Sequence, residues 1–304
     1  MLLKITFLGT SGTIPSVERN PSAILIQFEG ERILFDCGEG TQRQMMIAKV
    51  GFRNLNNIFI THMHTDHFIG CFGLIETMSL NERREKLTFY TPNAAFLEKL
   101  FKTFGYQYLD FPIEVVELKD GDIVKFKNFK ILAFETDHII PSLGYALIEN
   151  ERRGKFNRKR AEELGIPPGP LYAKLVRGES ITINGKTITP DMVIGKPRKG
   201  RKIVYTGDTR PCKRTLEVAM NADVLIHDAS FSSELQEWAV ESKHSTAREA
   251  AEIAKKAKVK KLVLTHISAR YSKDPLPLLN EAKEIFENTI IAEDFLSFEV
   301  KYPD

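Results

Sequence analysis

Short apolar runs recur along the chain: Ile5–Leu8, Ala23–Phe28, Ile33–Phe35, Ile58–Ile60, Ile113–Leu118, Ile131–Phe134, Ile203–Tyr205, Val224–Ile226, Leu262–Leu264 and Phe295–Val300. Most are bounded by Gly, Asn, Asp or Thr, which end strands, so each predicts a β-strand. Amphipathic helical spacing appears at Ala94–Phe104, Thr215–Met220, Thr246–Lys258 and Leu276–Phe286. In the third of these, Thr246 and Glu249 stand at capping-box spacing, and Ala247, Ala250, Ala251 and Ala254 make one narrow apolar stripe. Strands and helices in both halves predict an α/β protein whose helices cover sheets.

Composition narrows this picture. With 304 residues, 42% of them hydrophobic, the chain can bury a sizeable core. No apolar run approaches the roughly 20 residues of a membrane span. The first residues alternate like a strand and lack the pattern of a signal peptide, so a cytoplasmic protein without a membrane anchor is expected. Cys37, Cys71 and Cys212 are widely scattered and read as reduced thiols, not as a disulfide framework or a thiolate metal site.

Charge is unevenly spread. Between Glu151 and Lys202 stand 14 Lys/Arg against 5 Asp/Glu, in a chain whose net charge is only +3. The segment holds a basic run (Arg152, Arg153, Lys155, Arg158, Lys159, Arg160), then Gly165-Ile-Pro-Pro-Gly-Pro170, then Lys196, Arg198, Lys199, Arg201 and Lys202. Pro and Gly at that density oppose regular core structure, so an inserted arm is expected, with a small hairpin around Asn184-Gly185. A basic segment in an acidic body fits an anionic partner such as nucleic acid, or simply a solvated lysine-rich loop.

Candidate chemistry is concentrated. Of seven histidines, three fall in His62-Met-His64-Thr-Asp66-His67, between a predicted strand and a helix running from Ile69 to Leu80. Side chains at i and i+2 can point the same way, while i+4 and i+5 arrive from the turn. That geometry suits two adjacent metal ions better than one. Neutral imidazoles and a carboxylate are the donors zinc takes in catalytic sites.

His-x-His-x-Asp-His in this setting resembles the metallo-β-lactamase superfamily. Leu8-Gly9-Thr-Ser-Gly12, Asp36-Cys-Gly-Glu-Gly-Thr-Gln42, Thr206-Gly-Asp208-Thr209 and Thr265-His266 narrow the likeness to ribonuclease Z, the endonuclease that removes 3′ trailers from precursor tRNA. The resemblance implies a single α/β domain over 1–304, a metallo-β-lactamase-like αβ/βα four-layer sandwich, with a protruding basic arm inserted at about 151–202. It implies two Zn2+ per subunit. His62, His64 and His138 would hold one, Asp66, His67 and His266 the other, and Asp208 would bridge them. It also implies Asp66 and His244 as catalytic groups, His244 as proton donor to the leaving oxygen, and a homodimer acting on precursor tRNA.

Further expectations attach to single residues. His244 precedes the capped helix, whose positive end would lower its pKa, so a carboxylate or the phosphate must support its protonated form. His227 reads as structural or as a support behind a ligand. Arg19, in Pro15-Ser-Val-Glu-Arg-Asn20, and the arm cations Arg152, Arg153, Lys155, Arg158, Lys159 and Arg160 are candidate substrate contacts. Glu18 stands where the family often has lysine. Thr41 reads as a helix N-cap. The competing functions on the same fold are a general phosphodiesterase or a glyoxalase II-type thioesterase, for which a basic arm has no use. A di-iron oxygen-reducing module typically carries glutamate where this chain has His64.

Overall fold

In a computed structural model, residues 2–302 are described. They fall into two units: residues up to 148 and from 201 onward form the larger, and Glu149–Gly200 the smaller.

The larger unit contains two seven-stranded sheets. In the first, the strands lie in the order Ser297–Glu299, Leu3–Gly9, Ala23–Phe28, Glu31–Phe35, Leu55–Phe59, Leu87–Thr91 and Ile113–Glu117. In the second, the order is Thr289–Ile291, Leu262–Thr265, Val224–Asp228, Lys202–Tyr205, Leu143–Glu149, Phe129–Glu135 and Ile123–Lys125. Each sheet is parallel over one part and antiparallel over the other.

The near-continuous apolar runs reflect burial on both faces of each sheet. Along Ala23–Phe28, Ile24, Ile26 and Phe28 turn into the core between the sheets, while Ala23 and Leu25 turn outward beneath helices. Between the sheets, Phe7, Phe35 and Phe59 meet Ile131, Tyr145, Tyr205 and Val263. Outside the first sheet, Leu34 and Ile58 cluster with Leu74, Ile75 and Met78 of helix Gly70–Leu80 and with Leu97 and Phe101 of helix Ala94–Thr103. Outside the second, Val204, Leu225 and Leu264 meet the alanine stripe of helix Ala247–Ala257 and Leu278 of helix Leu276–Ile285. The result is the four-layer helix–sheet–sheet–helix sandwich, in which each fully buried Leu, Ile or Phe contributes ~1.5–3 kcal/mol. The capping box joining Thr246 and Glu249 is present.

Several local expectations need correction. Gly40, at φ 75°, is the N-cap of helix Thr41–Ile47; Thr41 is its first residue and donates its hydroxyl to Gly38 O at 2.7 Å. Arg201 belongs to the larger unit, where it is buried with its guanidinium over the rings of Phe28 and Tyr302.

The smaller unit is more regular than its Gly and Pro content suggested. Helix Arg158–Glu163 is capped by the Asn157 side chain, and helix Pro170–Arg177 carries proline in its first turn and ends at Gly178, φ 96°. The expected hairpin joins Ile181–Ile183 to Lys186–Ile188 through Asn184 (φ 49°) and Gly185 (φ 73°), the two positive angles a tight primed turn needs. Ala161, Ile166, Leu175, Ile181, Ile188 and Val193 give this unit a small core of its own.

Candidate metal centre

The chemistry-bearing groups lie where strands of both sheets reach their carboxyl ends, where α/β sheets place their sites. Strand Leu55–Phe59 leads into the loop carrying His62, His64, Asp66 and His67; the last two sit on the short helix Thr65–Phe68. His138 follows Phe129–Glu135, Asp208 follows Lys202–Tyr205, and His266 follows Leu262–Thr265. The Asp208 loop approaches the histidine loop closely. At Gly207, φ 61°, an added Cβ would lie 2.8 Å from the Thr61 side chain, so both the angle and the space require glycine.

Two sets of donors converge on the two oxygens of Asp208. On the Oδ2 side, His62 Nε2 lies at 3.6 Å and His138 Nε2 at 4.0 Å. His64 Nδ1 lies 2.9 Å from His62 Nε2 and 3.2 Å from His138 Nε2. On the Oδ1 side, His67 Nε2 is 3.3 Å and His266 Nε2 is 3.2 Å away. Asp66 Oδ2 stands 3.4 Å from His67 Nε2 and 3.6 Å from His266 Nε2. The donor atoms of His62, His64, His138 and Asp208 all lie within 4.8 Å of one another, as do those of Asp66, His67 and His266. The structure thus brings together all seven residues that the resemblance nominated.

The buried atoms His67 Nε2, His266 Nε2 and Asp208 Oδ1 have no hydrogen-bond partner among the described residues. Three mutually facing orphans are costly unless something else satisfies them, and a divalent cation does so. The electrostatics agree. Burial, then neighbouring His67, holds His62 well below its ordinary pKa, and burial lowers His64 and His138 too, leaving neutral donors. Burial opposes charge on Asp208 and Asp66, yet the surrounding histidines outweigh it and keep both ionised, far below the usual carboxylate range. His67 goes the other way: burial lowers it, but Asp208, Asp36 and Asp66 together raise it well above normal. The cause is three carboxylates around one ring, a surplus of negative charge that a cation would balance. The donors fit divalent metal.

Four of the five imidazoles in the donor sets, all but His64, are held from behind. Asp36 Oδ2 accepts from His67 Nδ1 at 2.8 Å, Tyr205 Oη at 2.7 Å and Thr61 Oγ1 at 3.0 Å, while Oδ1 accepts from Thr61 N at 2.7 Å. Thr61 Oγ1 lies 3.0 Å from His62 Nδ1. His138 Nδ1 donates to Lys243 O at 3.1 Å. Ser230 Oγ lies 2.9 Å from His266 Nδ1 and donates to Asp228 Oδ1 at 2.7 Å. Such contacts fix tautomer and ring orientation.

Asp228 has a second task. Its Oδ2 accepts from His244 Nδ1 at 2.9 Å, and His244 also lies 4.0 Å from Asp208 Oδ2. Burial alone would depress His244, but the charge and hydrogen bond of Asp228 outweigh it and push its pKa up to about 9. The expected lowering by the helix end is overturned, and the carboxylate required to support the protonated ring is Asp228. Sequence reasoning assigned no role to Asp36 or Asp228, although Asp36 opens a motif it singled out and Asp228 follows His227 directly. His227 is buried, donates Nδ1–H to Asp228 O at 2.8 Å, and joins none of the candidate metal-binding groups.

The candidate substrate contacts divide. Arg19 is only 4% exposed, with Nη1 donating to Thr10 Oγ1 and Ala292 O, so it braces the fold and presents nothing to a substrate. In the smaller unit, Arg153, Lys155, Arg158, Lys159 and Arg160 are exposed and Arg152 half-exposed. Arg158 pairs with Glu162 at 3.0 Å and Arg160 with Glu163 at 3.1 Å. Exposed pairs of this kind contribute little and exchange readily for a phosphate. Beside the metal centre, Gly12, Ile14, Phe231, His244, His266 and Arg270 are among the residues lining a cleft of about 270 Å³. No helix among the described residues is long and apolar enough to cross a membrane.

Comparisons with known proteins agree with this geometry. The family model of the anti-Pycsar protein Apyc1 matches residues 3–154, and that of the beta-lactamase superfamily domain matches residues 177–267. Proteins called ribonuclease Z are 71% identical in Archaeoglobus fulgidus and 54% identical in Methanosarcina mazei, each across the full length of both chains. The crystal structure of the short form of human tRNase Z superposes with a TM-score of 0.69 at 28% identity, covering 98% of this chain and 99% of that one. The metallo-beta-lactamase fold protein YhfI from Bacillus subtilis, at 19% identity and a TM-score of 0.71 over 98% of this chain and 99% of its own, shares the fold. With full-length identity of this order beside a converging donor set, the chain belongs to the ribonuclease Z family.

Proposed function

We propose that this chain is a metal-dependent endoribonuclease that removes the 3′ trailer of precursor tRNA, leaving a 3′-hydroxyl on the tRNA and a 5′-phosphate on the trailer. The observation that carries the reading is the convergence of two donor sets on the two oxygens of one buried carboxylate, Asp208. In this reading His62, His64 and His138 would hold one ion and Asp66, His67 and His266 the other, with Asp208 shared between them. Imidazole and carboxylate donors suit zinc, and manganese or iron also fit them. Two such ions supply Lewis-acid chemistry: a water acidic enough to ionise near neutral pH, and positive charge for the phosphoryl oxygens.

The remaining steps belong to the protein. Asp66 is held ionised, with Oδ2 accepting from Thr13 N–H at 3.0 Å, and so can orient the attacking water by accepting its hydrogen bond. His244, protonated and aimed by Asp228, gives its proton to the departing ribose oxygen. Loss of such a general acid typically costs 10²–10⁴-fold in rate. The exposed cations of residues 149–200 hold the tRNA through its phosphates and shape, not by reading bases. The enzyme works as a homodimer in this reading, which sedimentation of the purified protein tests.

The deciding experiment is incubation with a 3′-extended precursor tRNA, mapping both product ends with and without a chelator. Cleavage just after the discriminator base, abolished by the chelator and restored by zinc, is the expected result. A protein that hydrolyses small diesters but leaves the precursor intact is instead a general phosphodiesterase.

A further inference from the structure

Trp238, the chain's only tryptophan, lies on helix Gln236–Glu241 and is 55% exposed. Indole is a large apolar surface that folding normally covers. Here it is braced on one side: the Arg270 guanidinium carbon lies 5.6 Å from the ring centroid. Arg270 is itself exposed and lines the ~270 Å³ cleft together with His244 and His266. Through Arg270 the pair adjoins a cleft that reaches the proton donor and one donor set.

The two residues are held in register. Ser232, just ahead of the tryptophan helix, donates its backbone N–H to Tyr271 Oη at 3.3 Å, and the two hydroxyls lie 2.9 Å apart. Tyr271 is the neighbour of Arg270. Gln236 Nε2 donates to Glu249 Oε1 at 2.8 Å, which pins the start of the tryptophan helix to the long helix behind it. A rigid indole with a guanidinium beside it offers a π face and a positive charge. That combination suits an unpaired nucleobase and its phosphate, because stacking tolerates any base and the cation answers the backbone. A base inside a duplex has no free face to offer.

We propose that Trp238 and Arg270 form a stacking platform that grips one unpaired nucleotide of the RNA strand as it enters the cleft beside His244. The proposal rests on the RNA-cleaving reading above and deepens it by naming a substrate-positioning site.

The test uses the full-length, metal-loaded protein and a short single-stranded phosphorothioate oligoadenylate, which resists cleavage. Emission from the single tryptophan should be quenched saturably by the oligonucleotide and left unchanged by blunt duplex RNA. Binding of the same oligonucleotide, carrying a fluorescent label and read by anisotropy, should weaken about tenfold in Trp238→Ala, the scale of one lost base stack. Trp238→Phe should retain most of the affinity and Arg270→Ala should lose part of it. With precursor tRNA the loss should fall on KM more than on kcat.

Unchanged emission at saturation, or parental affinity in Trp238→Ala, overturns the proposal, as does equal quenching by duplex RNA. Failure here is separable from failure of the proposed function. A parent that is quenched by the oligonucleotide but leaves precursor tRNA intact sinks the function and keeps the platform. A parent that cleaves the precursor without any tryptophan response does the reverse.

Discussion

The larger unit and the segment Glu149–Gly200 solve opposite problems. The candidate metal centre is built mostly from buried groups, and four of its five rings are fixed from behind, with Asp36 alone accepting four hydrogen bonds. The smaller unit has six buried apolar residues in a core of its own and places most of its cations in solvent, with Arg158 and Arg160 paired to exposed glutamates. Chemistry needs groups held to a fraction of an ångström, whereas gripping a phosphate backbone needs charge that can adjust. Proposed together, they make the first unit the site of reaction and the second the site of anchorage.

The sharpest way to break this division is Asp208→Ala. It removes the carboxylate that both donor sets share, so metal content should fall below two per chain and hydrolysis of precursor tRNA and of bis(p-nitrophenyl) phosphate should vanish together. A variant with full metal content would refute the bridging role. Next in size is Leu175→Ala, in the core of the smaller unit, where such a truncation costs ~2–5 kcal/mol. It should raise KM for precursor tRNA and flatten the salt dependence of binding, while the small diester is still hydrolysed. Equal loss of both activities would show that the smaller unit does more than anchor.

His244→Ala should retain its metal by elemental analysis and lose at least ~10²-fold in turnover. The pH profile sharpens the same point. Because Asp228 raises the folded pKa of His244, the protonated acid is present at low pH and is lost as pH climbs through about 9. Bound cations repel that proton, so the alkaline limb should fall at or below this value. In Asp228→Asn the limb should move down, toward the ordinary histidine value of ~6.5. A limb that does not move would remove His244 as the titrating acid. The smallest effect is expected from Thr246→Ala, which breaks the capping box at a cost of ~1 kcal/mol, visible as a few degrees in Tm.

What could be read from the sequence was local. His62, His64, Asp66 and His67 announce themselves because four donors fall within six positions after a strand. The alanine helix was legible with its cap, since periodicity and Thr246–Glu249 spacing sit in one short stretch. What escaped depends on distance along the chain. Asp36 supports His67 and Tyr205, 31 and 169 positions away, and no nearby residue signals either contact. His244 looked governed by a helix end, but Asp228, 16 positions earlier, lies within hydrogen-bonding distance, and a close charge outweighs a terminal dipole. Arg19 misled because a cation in a polar loop is normally solvated, while here two buried acceptors draw it inward. In the smaller unit the same Pro and Gly that read as breakers serve as boundaries: Pro170 opens a helix and Gly178 closes it.

The hydrogen bond from Tyr205 to Asp36 links a residue of one sheet to a loop of the other, and the donor sets are likewise drawn from both. A nascent chain emerging from the ribosome therefore possesses no finished centre until residue 266 has been made and both sheets have docked. Ions bound there would join parts of the polypeptide synthesised far apart in time. Activity then arrives as a property of the completed molecule, and stripping the ions should loosen the seam between its halves as well as silence it.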